Sequence, residues 1–146
     1  MKRDYALCWV GLKVLLKKGN KFLFLKTAAK PIFWDLPGGR IDNVERNVPL
    51  EKILAREIKE ELGNKIKYKL GGPIFQFRRK GRNGACFNLL TVYEAKFLGG
   101  GVELSFEHSD YEWTDPKKYK FKEKDFFNKE EYAAFMKYFK TAEKNI

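Results

Sequence analysis

Pro37-Gly38-Gly39, followed at Leu50 to Gly63 by LEKILAREIKEELG, is the stretch on which the reading of this chain turns. It places Glu57, Glu60 and Glu61 on a predicted helix just after a glycine turn. At about 100° per residue with Leu50 at zero, Leu54 falls at about 40°, Ile58 at about 80°, Leu62 at about 120° and Ile53 at about 300°. On the same wheel Glu57 falls at about 340°, Glu61 at about 20° and Glu60 at about 280°. Glu57 and Glu61 therefore lie inside the apolar stripe, and Glu60 borders it. An ordinary surface helix keeps its charges on the opposite face.

Carboxylates crowded on a buried flank repel, and each costs several kcal/mol to desolvate unless a cation joins them. A hard divalent ion held by carboxylate oxygens resolves this, and Mg²⁺, which retains several waters, fits the ligand type. The alternative for a Glu-rich helix is a solvated face. The sequence before the helix argues for the ion.

The spacing resembles the signature of the Nudix family: Gly, five residues, Glu, seven residues, Arg-Glu, an aliphatic, any residue, Glu-Glu, any residue, Gly and an aliphatic. Gly39 is followed by Glu45 at the first spacing, and Arg56-Glu57-Ile58-Lys59-Glu60-Glu61-Leu62-Gly63 matches the second half. Two departures stand out: Asn64 replaces the final aliphatic, and ten residues rather than seven separate Glu45 from Arg56. The extra three are placed in Arg46 to Pro49, because Pro49 suits a first helical turn and the register from Leu50 onward is intact. Phe33-Trp34-Asp35-Leu36 resembles the strand leading into the family's loop, and Leu104 to Trp113 resembles the end of its core sheet. The likeness spans about Tyr5 to Tyr119.

The resemblance implies a Nudix-like α/β/α sandwich, a mixed β-sheet between helices, and hydrolysis of a diphosphate bond in a nucleoside diphosphate linked to another moiety. It implies Glu57, Glu60 and Glu61 as ligands of Mg²⁺, with Mn²⁺ as the alternative cation. Gly38 or Gly39 would add a backbone carbonyl, and Arg56 would pair with Glu45 to anchor the loop. Arg56 has a second candidate partner in Glu60, one turn on. The general base comes from the helix or from a later loop, where Glu107 is the first candidate and Glu103 the second. His108, the only histidine, is read as a surface residue. Trp34, Phe75, Phe77 and Arg78, with Phe33, Arg79 and Arg82, are candidates to hold base, ribose or phosphate, against a core role for the aromatics.

The remaining sequence bounds the setting. One domain is expected over residues 1–146, and 44% hydrophobic content with 13 Phe is that of a folded globule. The formal net charge of +11 favours polyanionic partners such as a nucleotide substrate or an RNA 5′ end, and disfavours none of these among themselves. It also keeps a rival class open, a non-catalytic Nudix-fold module that binds nucleotide or RNA. A Nudix-fold isomerase would need a Cys paired with a Glu, and Cys86 has no acid beside it in sequence. Cys8 and Cys86 lie in apolar stretches and are expected as buried, reduced thiols. With no membrane-length run, the expectation is a cytoplasmic protein, with a two-fold homodimer as the default assembly.

Along the chain, strands are expected at Ala6 to Leu16, Phe22 to Leu25 and Phe33 to Leu36, then the helix from Pro49 to Leu62 capped by Gly63. Further strands are expected at Lys65 to Leu70, Ile74 to Arg79 and Ala85 to Phe97, with Gly71-Gly72-Pro73 and Lys80 to Gly84 as turns. Gly99-Gly100-Gly101 reads as a mobile loop. Asn128-Lys129-Glu130-Glu131 resembles a cap opening a last helix at about 129–142, whose Tyr132, Phe135, Met136 and Phe139 recur at helical spacing.

Overall fold

A computed structural model describes residues 2–81 and 84–144. Strand β1 (Cys8–Lys18) turns at Gly19, φ +61°, into β2 (Lys21–Thr27). The run from Gly11 to Leu16 is buried throughout, so β1 is covered on both faces. Its alternate side chains separate cleanly. Leu12, Val14 and Leu16 join Leu23 and Leu25 in one core, while Leu15 joins Phe22 and Phe24 in another.

The two early strands pair only at Lys17–Phe22 and Lys18–Lys21, then part. The fork is filled by the segment preceding the helix. Strand β3 (Trp34–Asp35) pairs with β2, and β4 (Gly38–Arg40) pairs antiparallel with β1 at Gly11 to Lys13. The expected glycine loop thus runs as a short strand. Gly38, φ +140°, is required there, since a Cβ would collide with the Leu12 carbonyl oxygen.

Helix α1 (Leu50–Leu62) packs Ile53, Leu54, Ile58 and Leu62 onto the first core. Pro49 is its N-cap rather than part of its first turn, and Gly63, φ +89°, ends it. Strands β5 (Lys67–Lys80) and β6 (Phe87–Gly99) form a long antiparallel pair, and β6 runs parallel to β1. The two strands expected before and after Gly71-Gly72-Pro73 are one strand. The register shifts at Leu70/Pro73 and Pro73/Phe75 make that segment a bulge on an edge strand, where Pro73 forfeits no ladder bond. Strand β7 (His108–Thr114) pairs with β2 and completes a seven-stranded mixed sheet.

The segment after β6 is anchored. Gly100 packs on the Lys65 carbonyl, and Glu103 N–H donates to the Leu62 carbonyl at 2.8 Å, so the glycine run docks on the end of α1. Helix α2 (Lys129–Lys144) opens with Asn128 Oδ1 accepting from Glu131 N–H at 2.8 Å. It covers the second face, where Phe121, Phe126, Phe135 and Phe139 meet Phe22, Phe24 and Phe77. The result is an α/β/α sandwich. Cys8 and Cys86 are free and half-buried rather than buried. Among the described residues, no helix is long and apolar enough to cross a membrane.

Candidate active site

The fork in the sheet and the flank of α1 meet at the glycine strand. Glu57 and Glu61, one turn apart, both face it and are buried, with 8% and 5% of their surface exposed. Glu61 Oε2 accepts the Gly38 N–H at 2.7 Å. The Glu57 carboxylate rests on Gly39, where a Cβ would come within 2.7 Å of Oε1. The helix therefore lies this close because Gly39 has no side chain. Glu60 is exposed at the cleft's rim.

Arg56 gathers the acids from the rim. Its Nε and one terminal nitrogen donate to Glu45 at 2.7 and 2.8 Å, and it reaches Glu57 and Glu60 at 3.0 Å each. The family-type partner and the i+4 partner are thus held together. Glu45 stands in a short 3₁₀ turn (Asn43–Glu45) as the third position of a capping box with Asp42. The additional residues follow that turn, so they lengthen the approach to α1 without moving Glu45 away from Arg56.

Across the cleft, Glu107 and His108 enter at the head of β7. One ligand atom from each of Glu61, Glu107 and His108 lies within 4.8 Å of the others. Glu107 is exposed, but His108 is buried, which corrects its reading as a surface residue. The run Ser105 to His108 is drawn inward because Ala28 N–H donates to the Glu107 carbonyl and His108 pairs with Thr27. The His108 Nδ1 is buried with no hydrogen-bond partner, and burial lowers the affinity of its ring for a proton.

The electrostatics are those of a site short of positive charge. Burial pushes the Glu61 carboxyl up to about 8, against the opposing pull of Lys13 and the Gly38 N–H, and Asp35 and Glu107 add to the rise. Burial also raises Glu57, which Arg56 offsets in part. Together these groups line an open cleft of about 640 Å³ bounded by Trp9, residues 38–43, Glu57, Glu60, Glu61 and Glu107.

Other candidates lie elsewhere. Trp34, Phe75 and Phe77 pack in the α2-side core and do not line this cleft. Arg78 is engaged by Glu130, and Arg79 by Asp35 and Glu131. Phe33 meets Phe127 edge to face. Glu103 pairs with Lys65 at 2.9 Å, away from the acids. Arg82 lies outside the described residues.

Trp9, Arg40, Lys13 and Asn43 were not singled out by the sequence. Trp9 is 44% exposed at the cleft's edge, with the Arg40 guanidinium over its ring at 4.8 Å. The available signal was an aromatic at a strand's exposed start, just before six buried residues. Lys13 is nearly buried, donating to Asp35 and to the Leu36 carbonyl at 3.2 Å. A lysine breaking an otherwise apolar run was its sign.

A model of the NUDIX domain matches residues 10–135. A nucleoside triphosphatase NudI from Klebsiella pneumoniae (strain 342) is 30% identical over 112 residues, spanning 68% of this chain and 77% of that protein. The structure resembles a MutT protein from Methanosarcina mazei Go1, with a TM-score of 0.64 at 23% identity over 80% of this chain and 83% of the other. It also resembles a UDP-X diphosphatase, with a TM-score of 0.68 at 16% identity over 96% of this chain and 66% of the other.

Proposed function

Because this chain belongs to the Nudix family and is a Nudix hydrolase, we propose that it cleaves a diphosphate bond of a nucleoside triphosphate or a close derivative in a Mg²⁺-dependent reaction. The observation that carries the reading is the pair of buried carboxylates, Glu57 and Glu61, laid against the bare backbone of Gly38 and Gly39. The similarity to a nucleoside triphosphatase supports the choice of substrate class.

The donors fit the cation. The donors proposed from the family spacing are all oxygens, from Glu57, Glu60, Glu61 and the backbone carbonyl of Gly38 or Gly39, which suits Mg²⁺ and its substitute Mn²⁺. Of the side chains grouped across the cleft, Glu107 adds another oxygen and only His108 offers a nitrogen. The raised Glu61 carboxyl is the signature of an acid placed where a positive charge is wanted. A divalent ion bound there would offset phosphate charge and make a water more acidic.

The chain's own groups divide the remaining work. Arg56 fixes Glu45, Glu57 and Glu60 in one arrangement, so the acids need no reorganisation when substrate arrives. Glu107, exposed beside Glu61, is placed to take a proton from the attacking water. His108, uncharged, offers an acceptor beneath it. Trp9 under Arg40 gives a flat platform at the cleft's edge for a base, where one ring face can stack and the guanidinium can meet phosphate.

Phosphate release over a panel of nucleoside triphosphates, nucleotide sugars, dinucleoside polyphosphates and 5′-triphosphate RNA tests this directly, with and without Mg²⁺. Metal-dependent turnover of a triphosphate is expected. Nucleotide binding that needs no metal and leads to no cleavage would favour the binding-module alternative instead.

A further inference from the structure

At the far end of β1 from the cleft, three lysines stand abreast. Lys17 on β1 is the register partner of Lys96 on β6, and Lys96 is the partner of Lys69 on β5. Register partners project from the same face, and strands lie about 4.8 Å apart, so the three side chains start within about 10 Å of one another. Like charges directly opposite on neighbouring strands destabilise a sheet. All three residues are exposed, and among the described residues none of them is in an ion pair.

The row faces an open groove of about 510 Å³, which Lys18, Glu94 and Tyr138 also line. Lys17 reaches over the Phe22 ring at 5.7 Å, whereas Lys18, the next residue on the strand, turns to the other face and lies over Trp113 at 4.5 Å. A second groove adjoins the first through Lys17 and Phe22 and continues to Asp115 and Lys117. Among the described residues, the track on this face therefore carries Lys17, Lys69, Lys96 and Lys117 against Glu94 and Asp115.

From this we infer that the end of the sheet holding Lys69, Lys96 and Lys17 binds the phosphate backbone of a single-stranded nucleic acid, independently of catalysis in the cleft. Lysines supply point charges to phosphates, and among the described residues neither groove holds an arginine fork to read a base, so the contact is sequence-tolerant. The half-buried Tyr138 offers aromatic surface beside the charges, the combination that suits an unpaired strand. The site is separate from the acids. Trp9 at the cleft and Lys17 in the row are eight residues apart on one strand, about 26 Å at the usual rise.

The test is fluorescence anisotropy of a labelled oligouridylate in EDTA, where turnover is absent, across 50 to 200 mM salt. Combined Lys17→Gln, Lys69→Gln and Lys96→Gln should weaken binding at least about tenfold and flatten the log–log salt slope by about 2. A control with Lys30→Gln, Lys120→Gln and Lys129→Gln removes equal charge elsewhere and should weaken it less than about threefold. Lys96→Gln alone, the centre of the row, gives a smaller loss of the same kind and serves if the triple variant does not fold. Equal loss in row and control variants overturns the inference, as does oligouridylate binding that the row variant leaves unchanged. Mononucleotide hydrolysis in Mg²⁺ should be unchanged in the row variant, which separates failure here from failure of the hydrolase reading.

Discussion

The charges that α2 clamps against the sheet and those that α1 turns toward the cleft are buried to a similar degree but composed differently. On the α2 side, Lys13, Asp35, Arg79 and Glu131 form a chain of two cations and two carboxylates. Lys13 meets Asp35 at 3.2 Å, and Arg79 meets Asp35 at 3.0 Å and Glu131 through two bonds at 2.6 and 3.0 Å. Phe33, Phe77 and Phe127 surround the Arg79 guanidinium. On the α1 side, Glu57 and Glu61 are buried with Glu107 close by. Arg56 at the rim is shared among Glu45, Glu57 and Glu60, and Glu61 is left with the pull of Lys13, itself paired to Asp35. A balanced buried network ties elements together. An unbalanced one spends stability on a place for something absent from the chain, which is the mark of a working site.

The largest expected effect is on turnover. Glu57→Gln and Glu61→Gln keep size and hydrogen-bonding shape but remove the negative charge, so metal-dependent hydrolysis should fall at least about a hundredfold. Thermal unfolding should hold steady or rise slightly, because a poorly solvated charge has been removed. Full activity in both variants would erase the distinction between the two regions.

The mirror experiment comes next. Arg79→Met leaves Asp35 and Glu131 buried without their shared partner, a loss of about 3–5 kcal/mol. At about 2–4 °C per kcal/mol for a chain of this size, the melting temperature should drop by roughly 10 °C. Per folded molecule, turnover at low temperature should stay close to that of the parent chain. A variant with normal melting and no activity would move Arg79 into the site.

Acid and base separate Asp35 from Glu61 by sign, although burial raises the Glu131 carboxyl on the α2 side as well. Lys13 and Arg79 hold the Asp35 carboxyl far below the usual carboxylate range despite its burial. The unfolded chain therefore binds more protons than the folded one in acid. The stability Asp35 contributes is complete above about pH 4 and is lost as pH falls below that. Glu61 runs the other way: its folded carboxyl titrates at about 8, so the folded chain holds a proton that the unfolded chain has released. In EDTA its contribution is complete below about pH 4.3 and declines as pH rises to 8. Melting curves against pH for the parent chain, Asp35→Asn and Glu61→Gln test both limbs. A weaker acid limb in the first variant and a shallower decline toward pH 8 in the second, where Glu57 and Glu131 still contribute, are the expected results.

The α1 side was legible because its signal is local. Helical periodicity put Glu57 and Glu61 on the apolar stripe, and the interval from Gly39 to Glu45 is short enough to read in one pass. The α2 side was not, because Asp35, Arg79 and Glu131 meet only through the fold, the arginine and the glutamate it grips lying at a sequence separation of 52. Arg78 and Arg79 in a strand read equally well as phosphate ligands or as structural ion pairs until α2 is in place. His108 was misplaced for a related reason: only its pairing with Thr27 across β2 and β7 carries the ring inward. The bulge at Gly71 to Pro73 looked like a turn because turn and bulge draw on the same residues.

The smallest expected effect separates neighbours. Arg78 and Arg79 each grip one of two adjacent glutamates on α2, both at sequence separation 52 and with bonds of comparable length. Their side chains differ in exposure: 62% for Arg78 and 43% for Glu130, against 11% for Arg79 and 2% for Glu131. Water and salt screen the outer pair, and holding two long side chains together offsets much of what attraction remains. Arg78→Ala should therefore cost under about 1 kcal/mol, and the cost should vanish at high salt. The Asn128 amide would still donate to the Arg78 carbonyl at 2.8 Å, keeping the cap of α2 attached to β5. Urea unfolding of both arginine variants, at low and high NaCl, gives the comparison. If the two losses match, burial is not what divides the network from its surroundings.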